Sequence, residues 1–410
     1  MRRFKYKILH LPPPLTSIDV INDWQSDNES QFETTTDITE VLSYPFKIAA
    51  IPAMFNVEGN FAYNKALADV DWSQFDLVVI SEIENYSFDD IKEKCIVPAG
   101  ITNYLLSMGS FEYNLPPNVV YRPWWIFRHL EINASKKLKY EENYNKPFKF
   151  DALLGQGRSH RHYVMSRFQK NPSLLNESIV MYRGLFGEGD TDTNTIKQQL
   201  MDEIKQVLDG EEMLYPYESP NLNPEWEVSS DLTRSISERT PWEIYKQTYY
   251  SIVCETNYYN PMINPDNTEE DSPGPFFITE KIAKAILGKR LFVMFGPMHI
   301  LKFFKEQGFK TFENIIDESY DSSTNICERF TKAFDQVEHL YSLDSKKVLM
   351  STSEIREHNF NHLYRYRNIT KNKMQNLIFE QIPDEYLIED SSFLPGLKDD
   401  EMIRINWQKY

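Results

Sequence analysis

Three short stretches of the 410-residue chain hold residue types suited to gripping a polyanion beside a diol. The first, LLGQGRSHRHYVMSRF (153–168), reads as a strand, a Gly-x-Gly turn, a basic cluster and a helix. Gly155 and Gly157 let a ligand approach the backbone closely, and a helix start presents free N–H groups with partial positive charge. Arg158, His160, Arg161 and His162 surround that point and suit a phosphate or diphosphate; a tight turn with solvated arginines is the alternative. The third glycine of a dinucleotide fingerprint is missing. The second stretch is YYSIVCE (249–255), which places Glu255 at the carboxyl end of an apolar strand, where open α/β sheets bind ligands. A surface glutamate or a helix-cap partner is equally compatible with it. The third is Thr279-Glu280-Lys281 at a helix start. Adjacent residues there splay apart, so Glu280 is placed to accept hydrogen bonds from a ribose diol while Lys281 neutralises a phosphate. A plain amphipathic first turn, with Glu favoured by the macrodipole, explains the same residues.

Other patterns are weaker. Asp69/Asp71 and Asp190/Asp192 form two DxD pairs of the kind that holds a divalent metal on a nucleotide diphosphate, but neither follows a clear buried strand. No HExxH, Walker lysine loop or Gly-x-Ser-x-Gly elbow is present. His160 and His162 have no further His or Cys nearby, which favours phosphate contacts over a metal pair.

The elements that must position these residues alternate as α/β layers. FKIAAI (46–51), FDLVVIS (75–81) and NVVY (118–121) read as buried strands, with a helix at 87–94. A polar interval, 132–149, looks like an interdomain linker. The second half restarts with a strand at 151–155, a helix at 160–169, a strand at 178–184 and a helix at 196–208. Its clearest passage is FFITEKIAKAILGKRLFVMFGPMHILKFFKEQGFKTF (276–312). Thr279 caps a helix that Gly288 ends in the left-handed conformation; LFVMF (291–295) is a buried parallel strand; a helix at 298–307 stops at Gly308; a further strand follows at 309–312. Segments 325–343 and 346–379 are predominantly helical, and the last thirty residues have no clear pattern.

Composition narrows the class. Hydrophobic residues make up 41 %, which excludes disorder over most of the length. Cys95, Cys254 and Cys327 form no CxxC pair, which excludes a disulfide scaffold or zinc ribbon. A net charge of −17 argues against holding nucleic acid by global electrostatics. No stretch has the length of a membrane span, and the start, MRRFKYKILHLPPP, lacks the apolar run of a secretory signal. The expectation is a soluble protein of a reducing compartment.

Together these motifs resemble the donor-binding half of GT-B glycosyltransferases, most closely the α1,3-fucosyltransferase type. That family has a strand ending in glutamate, a loop, an aromatic–(I/V)–Thr–Glu–Lys helix, a buried strand and a Gly-Pro or Gly-Ser turn. Here stand Val253-Cys254-Glu255, Phe277-Ile278-Thr279-Glu280-Lys281, Phe292–Phe295 and Gly296-Pro297, and the resemblance covers 151–317. It implies an α/β fold of two Rossmann-like domains facing a central cleft with C-terminal helices crossing back: an acceptor domain at 1–145, a donor domain at 146–345 and a helical tail at 346–410 that packs on the first domain. It implies transfer of a sugar from a nucleotide diphosphate sugar (GDP- or UDP-linked) to a hydroxyl acceptor such as a glycan, with no obligate cofactor or metal. Gly155, Gly157, Arg158, His160, Arg161, Thr279, Glu280 and Lys281 would bind the donor, and Glu255 would lie near its sugar. The acceptor hydroxyl needs a base from the first domain, and Glu82 and Glu84, just after a buried strand, are the candidates, Glu82 first. YRPWWIFRHLE (121–131) offers Trp124 and Trp125 for sugar stacking or for the core. The absence of an anchor is similar to soluble bacterial or viral relatives, hence the cytoplasm of a bacterial cell or infected host. Two rivals stay open: a viral DNA-base glycosyltransferase, which the acidic charge disfavours, and a non-catalytic nucleotide-sugar-binding module.

Overall fold

A computed structural model describes residues 2–10, 33–53, 70–82, 88, 91, 100–112, 114–123, 126–127, 130, 144–155, 157–183, 195–223, 240–258 and 276–389. The first part of the chain gives β1 (Arg2–Phe4), β2 (Lys7–His10), β3 (Glu33–Thr35), α1 (Ile38–Leu42), β4 (Ile48–Ala53), β5 (Leu77–Glu82), β6 (Tyr104–Met108) and β7 (Val119–Tyr121). Strands β2 to β7 form one sheet in the order β3-β2-β4-β5-β6-β7, every pair parallel. A parallel sheet is covered on both faces, which is why IAAI and LVVI are continuously apolar. Ala49, Ile51, Val78 and Ile80 pack on one side with Trp72 and Phe75; Ile48, Ala50, Leu77 and Val79 pack on the other.

The second part gives β8 (Phe148–Gly155), α2 (Ser159–Lys170), α3 (Pro172–Asn176), β9 (Ser178–Tyr182), α4 (Thr195–Leu208), β10 (Tyr217–Glu218), α5 (Trp242–Gln247), β11 (Thr248–Cys254), α6 (Glu280–Leu287), β12 (Leu291–Phe295) and α7 (Ile300–Glu306). The order is β10-β9-β8-β11-β12, parallel except for β10 on the edge. From β8 the chain goes out to β9 on one side and returns to β11 on the other. The switch point of this sheet therefore lies between β8 and β11, and crevices of open α/β sheets form outside the carboxyl ends at such points. The expected pair of Rossmann-like α/β layers is present.

Beneath the second sheet Asp151 and Arg290 form a buried pair at 2.9 Å, with Thr248 and Ser251 hydroxyls donating to the same Asp151 oxygen at 2.8 and 3.0 Å. Burial pushes the Asp151 carboxyl up against the pull of Arg290 and these hydroxyls. The network ties the middle of β8, the first residues of β11 and the entry to β12 together, and so fixes the register of the strands that flank the switch point from the end away from it.

Three helices follow: α8 (Ile326–Ser342), α9 (Ser345–Ser351) and the 29-residue α10 (Ser353–Gln381), before β13 (Leu387–Glu389) pairs antiparallel with β1. Helix α10 crosses between the units. Its first half adds Leu363 and Tyr366 to the second core, and Arg356 donates to the carbonyls of Lys289 and Leu349 at 2.9 and 2.6 Å. Its second half lays Met374, Ile378 and, just past its end, Ile382, spaced four apart, on the first sheet beside Leu77, Leu105 and Val120. Phe127 and Leu130, early in the chain, also pack in the second core. The units meet again where Phe111, just past β6, and Phe276, just before α6, exchange backbone hydrogen bonds of 2.9 and 2.8 Å, with the Phe276 and Phe303 rings stacked at 4.8 Å. The segment after the carboxyl end of β6 is thereby brought beside the residues that lead into α6. No described helix is long and apolar enough to cross a membrane.

Several expectations need correction. The strand expected at 309–312 is irregular backbone. Asn359 takes the Lys310 N–H at 2.8 Å and donates to its carbonyl at 2.8 Å, and Glu318 accepts from the Phe312 N–H at 2.8 Å. Side chains satisfy the groups a ladder would have used, and β12 ends the sheet. Gly288 is not left-handed: φ is −77°, and Lys289 after it takes +47°. Glycine is required there by crowding, because a Cβ would run into the Tyr245 ring. The β4 strand begins two residues later than expected, and the helix expected at 298–307 is confined to Ile300–Glu306. The helix at 87–94 and the interval 132–143 fall largely outside the described residues.

Candidate active site

The site forms on the two strands that flank the switch point. At the end of β8 the register with β9 shifts between Leu153 and Gly155, a bulge of the kind that re-aims a chain beside a functional site. Gly155 takes φ +55°, a conformation a side chain opposes. After buried Gly157 the chain turns into α2 with no side-chain cap. The N–H groups of Arg161 and His162 bond the Arg158 carbonyl. The Ser159 hydroxyl is fully buried and has no hydrogen-bond partner among the described residues.

Arg158 spans to β11, its Nη1 donating to the Thr256 carbonyl at 2.5 Å. The next residue in the cluster, Arg161, is buried with its Nη1 beside Gly155. Burial lowers its guanidinium to about 10; Arg158 adds to that, while Cys254, Glu280 and Glu255 oppose it. At neutral pH it is a buried cation that feels the ionised Glu280 carboxylate. His160 joins the same group as a neutral ring. Burial first, then the charges of Arg161, Arg158 and Lys281, hold its pKa well below the usual imidazole value. Its Nε2–H donates to the Glu255 carbonyl at 2.9 Å, and the ring stacks on Tyr258 at 4.4 Å. The expectation of a basic phosphate contact at His160 is thus corrected to a neutral donor that fixes the end of β11. His162 turns away and bonds the Tyr182 hydroxyl.

Glu255 is fully buried. Its carboxylate accepts from the Thr279 hydroxyl at 2.6 Å, the Thr279 N–H at 3.4 Å and the Thr256 N–H at 3.2 Å. Burial raises its pKa, opposed by Lys281 and these donors. Glu255 clamps the carboxyl end of β11 to the start of α6. Thr279 completes the clamp by capping the Lys281 N–H at 3.4 Å.

At the start of α6, Lys281 Nζ donates to the hydroxyls of Thr256 and Thr279 at 2.9 and 3.1 Å and to Glu280 at 3.0 Å. Glu280 is buried, and burial alone would raise its pKa; Lys281 and Lys284 overcome that and hold it down at about 2. One turn on, Lys284 is buried too. Sequence reasoning missed it, although its i+4 spacing from Glu280 was the available signal. Burial lowers its ammonium to about 8 against the pull of Glu280.

Eight of the sequence-derived candidates in this half therefore converge on the carboxyl edge: Gly155, Arg158, His160, Arg161, Glu255, Thr279, Glu280 and Lys281, with Gly157 leading into α2. In the first unit Glu82 is the last residue of β5, at the carboxyl end of that sheet, opposite Ala53 of β4. Glu84, Trp124, Trp125, Asp69, Asp190 and Asp192 lie outside the described residues. Asp71 is a turn cap, accepting from Ser73 N–H at 3.1 Å and from Gln74 at 3.0 Å. Among the described residues no three His, Cys, Asp or Glu side chains gather as metal ligands.

No protein-family model matches the chain, and no curated protein matches it in sequence. Among solved structures it is similar to an α,α-trehalose-phosphate synthase (UDP-forming) from Burkholderia vietnamiensis, with 10 % identity, a TM-score of 0.34, and coverage of 82 % of this chain and 67 % of that one. A likeness this distant carries no argument about activity.

Proposed function

We propose that the protein is a glycosyltransferase that moves a sugar from a nucleotide diphosphate sugar to a hydroxyl of a glycan. The observation that carries the reading is the gathering of Arg161, Lys281 and an ionised Glu280 around one sheet edge, next to an uncapped helix start whose buried Ser159 hydroxyl has no hydrogen-bond partner among the described residues. Cations beside a helix N-terminus suit a diphosphate, and a carboxylate held at about 2 suits a ribose diol, because it accepts hydrogen bonds throughout the physiological range.

In this scheme the C1–O bond to the diphosphate breaks and its electron pair leaves with the phosphate oxygen. Arg161 and Lys281 neutralise the charge that grows there, which supplies the electrostatic stabilisation without requiring a metal. Lys281 exchanges its bonds to Thr256 and Thr279 for phosphate oxygens. The acceptor oxygen forms the new bond to C1 as its proton passes to a carboxylate of the first unit, for which Glu82 at the end of β5 is the proposed base and Glu84 the second choice. Glu255, enclosed by three donors, acts as a positioning residue. The test is a thermal-shift panel of GDP-, UDP-, ADP- and dTDP-sugars: one nucleotide raises the melting point through binding to the native state, and a panel without any shift removes the proposal.

A further inference from the structure

A groove of about 800 Å³ runs between the β6–β7 connection and α10, within the roughly 300–1,000 Å³ of small-molecule sites. We propose that this groove binds a neutral oligosaccharide, the chain of the acceptor beyond its reacting unit; the acceptor role rests on the function proposed above.

The lining determines the ligand class. One wall is the outward face of α10, where Ile369, Asn372, Lys373, Asn376 and Glu380 recur at helical spacing. The opposite face of the same helix is fixed on the first sheet by Met374 and Ile378, so the wall is rigid before any ligand arrives. The other wall carries Asn114, Leu115, Pro116 and Pro117. Three amides thus face the groove from both sides, each offering donors and an acceptor, which is what a ring of hydroxyls requires. Asn114, Asn372 and Asn376 are exposed, and their side chains make no hydrogen bond to another residue among those described. The prolines and leucines supply flat apolar surface for the C–H faces of pyranose rings. Glu112 and Glu380 against Lys373 leave the lining slightly acidic, which suits neither a phosphate nor a nucleic-acid backbone.

The inner end adjoins the candidate active site. Phe111 lines the groove and is bonded through its backbone to Phe276, three residues before Thr279. Tyr121 lines it too; its hydroxyl is buried, has no hydrogen-bond partner among the described residues, and feels the charge of Glu255. A chain lying in the groove would therefore end beside Glu255 and the edge of the second sheet.

The experiment measures binding of maltotetraose, cellotetraose, chitotetraose and lacto-N-neotetraose to the full chain by isothermal titration, for wild type and for Asn372→Ala/Asn376→Ala. Both asparagines are exposed, so the variant should keep the wild-type melting point. The expected result is binding of at least one tetrasaccharide to wild type, weakened about tenfold or more in the double variant. Binding of none of the four at about 10 mM, or equal binding by the variant, overturns the proposal. Nucleotide shifts are recorded on the same samples. Groove-dependent glycan binding without any nucleotide shift upholds the groove and removes the transferase reading; a nucleotide shift without glycan binding does the reverse.

Discussion

Replacing Thr279 by valine isolates the clamp that joins β11 to α6. Valine keeps the shape of threonine and exchanges only the hydroxyl for a methyl, so no cavity opens. Three interactions disappear. One is the Lys281 Nζ bond to the hydroxyl at 3.1 Å; that partly exposed ammonium keeps Thr256 and Glu280 at 2.9 and 3.0 Å, so its loss adds little. The bond to the Glu255 carboxylate, 2.6 Å long and fully buried, is charge-assisted and contributes about 1.5–3 kcal/mol. The cap on the Lys281 N–H, at 3.4 Å, is long and contributes about 0.5 kcal/mol, the low end for a cap. Glu255 keeps its two backbone donors, so the carboxylate is not stranded, and the expected loss is about 2–3 kcal/mol.

The pH dependence sharpens this. Burial raises the pKa of Glu255, so its charged form is the disfavoured one in the folded protein, and its contribution falls as pH rises through the folded value. Removing a donor that favours the carboxylate raises that pKa further. The deficit of Thr279→Val is therefore larger at pH 8 than at pH 5. Urea unfolding at both pH values reads it, with Thr279→Ser, which keeps the hydroxyl, as the control. A loss below about 1 kcal/mol at pH 8, or serine as damaging as valine, would refute the hydroxyl–carboxylate clamp.

Two further predictions concern the charges. Arg161→Ala and Lys281→Ala each remove a cation from the proposed diphosphate site, so each should weaken nucleotide binding by roughly 10- to 100-fold and slow transfer, read by titration calorimetry and turnover; wild-type values in both would end the assignment. Lys284 loses its proton from the folded protein near pH 8 while the unfolded chain holds it to about 10.5, so folding stability gains from this residue as pH rises between those values. Around that folded value the site loses a positive charge beside Glu280, so nucleotide affinity should fall roughly fivefold between about pH 7 and 9 in wild type and stay flat in Lys284→Met; parallel profiles would place the titration elsewhere.

Much of the second unit was legible because its signals are local. The strand YYSIVCE, the Thr279 cap and the run LFVMF each declare themselves within a few residues, and the sheet edge follows once those strands are parallel. The irregular segment at 309–312 was not legible, since Phe309 and Phe312 do pack inward as strand residues would. What cancels the strand is Asn359, about fifty positions away, and Glu318, which take the backbone groups first. His160 shows the same limit in the site. Its spacing beside two arginines reads as added positive charge, yet those arginines, after burial, are what make the charged ring unfavourable. In the first unit β6 was missed for a milder reason: YLLSM alternates too little to stand out until Leu105 and Leu106 are seen to face opposite cores.

Helix α10 carries a constraint that local patterns hide. Its sequence has no single apolar stripe, because Leu363 and Tyr366 belong to one core and Met374 and Ile378 to another. A helix that must satisfy two cores along 29 residues presents different faces inward at its two ends, so its groove-facing asparagines sit where packing demands nothing of them. Residues released from packing on a rigid element are free to be selected for contact with a ligand.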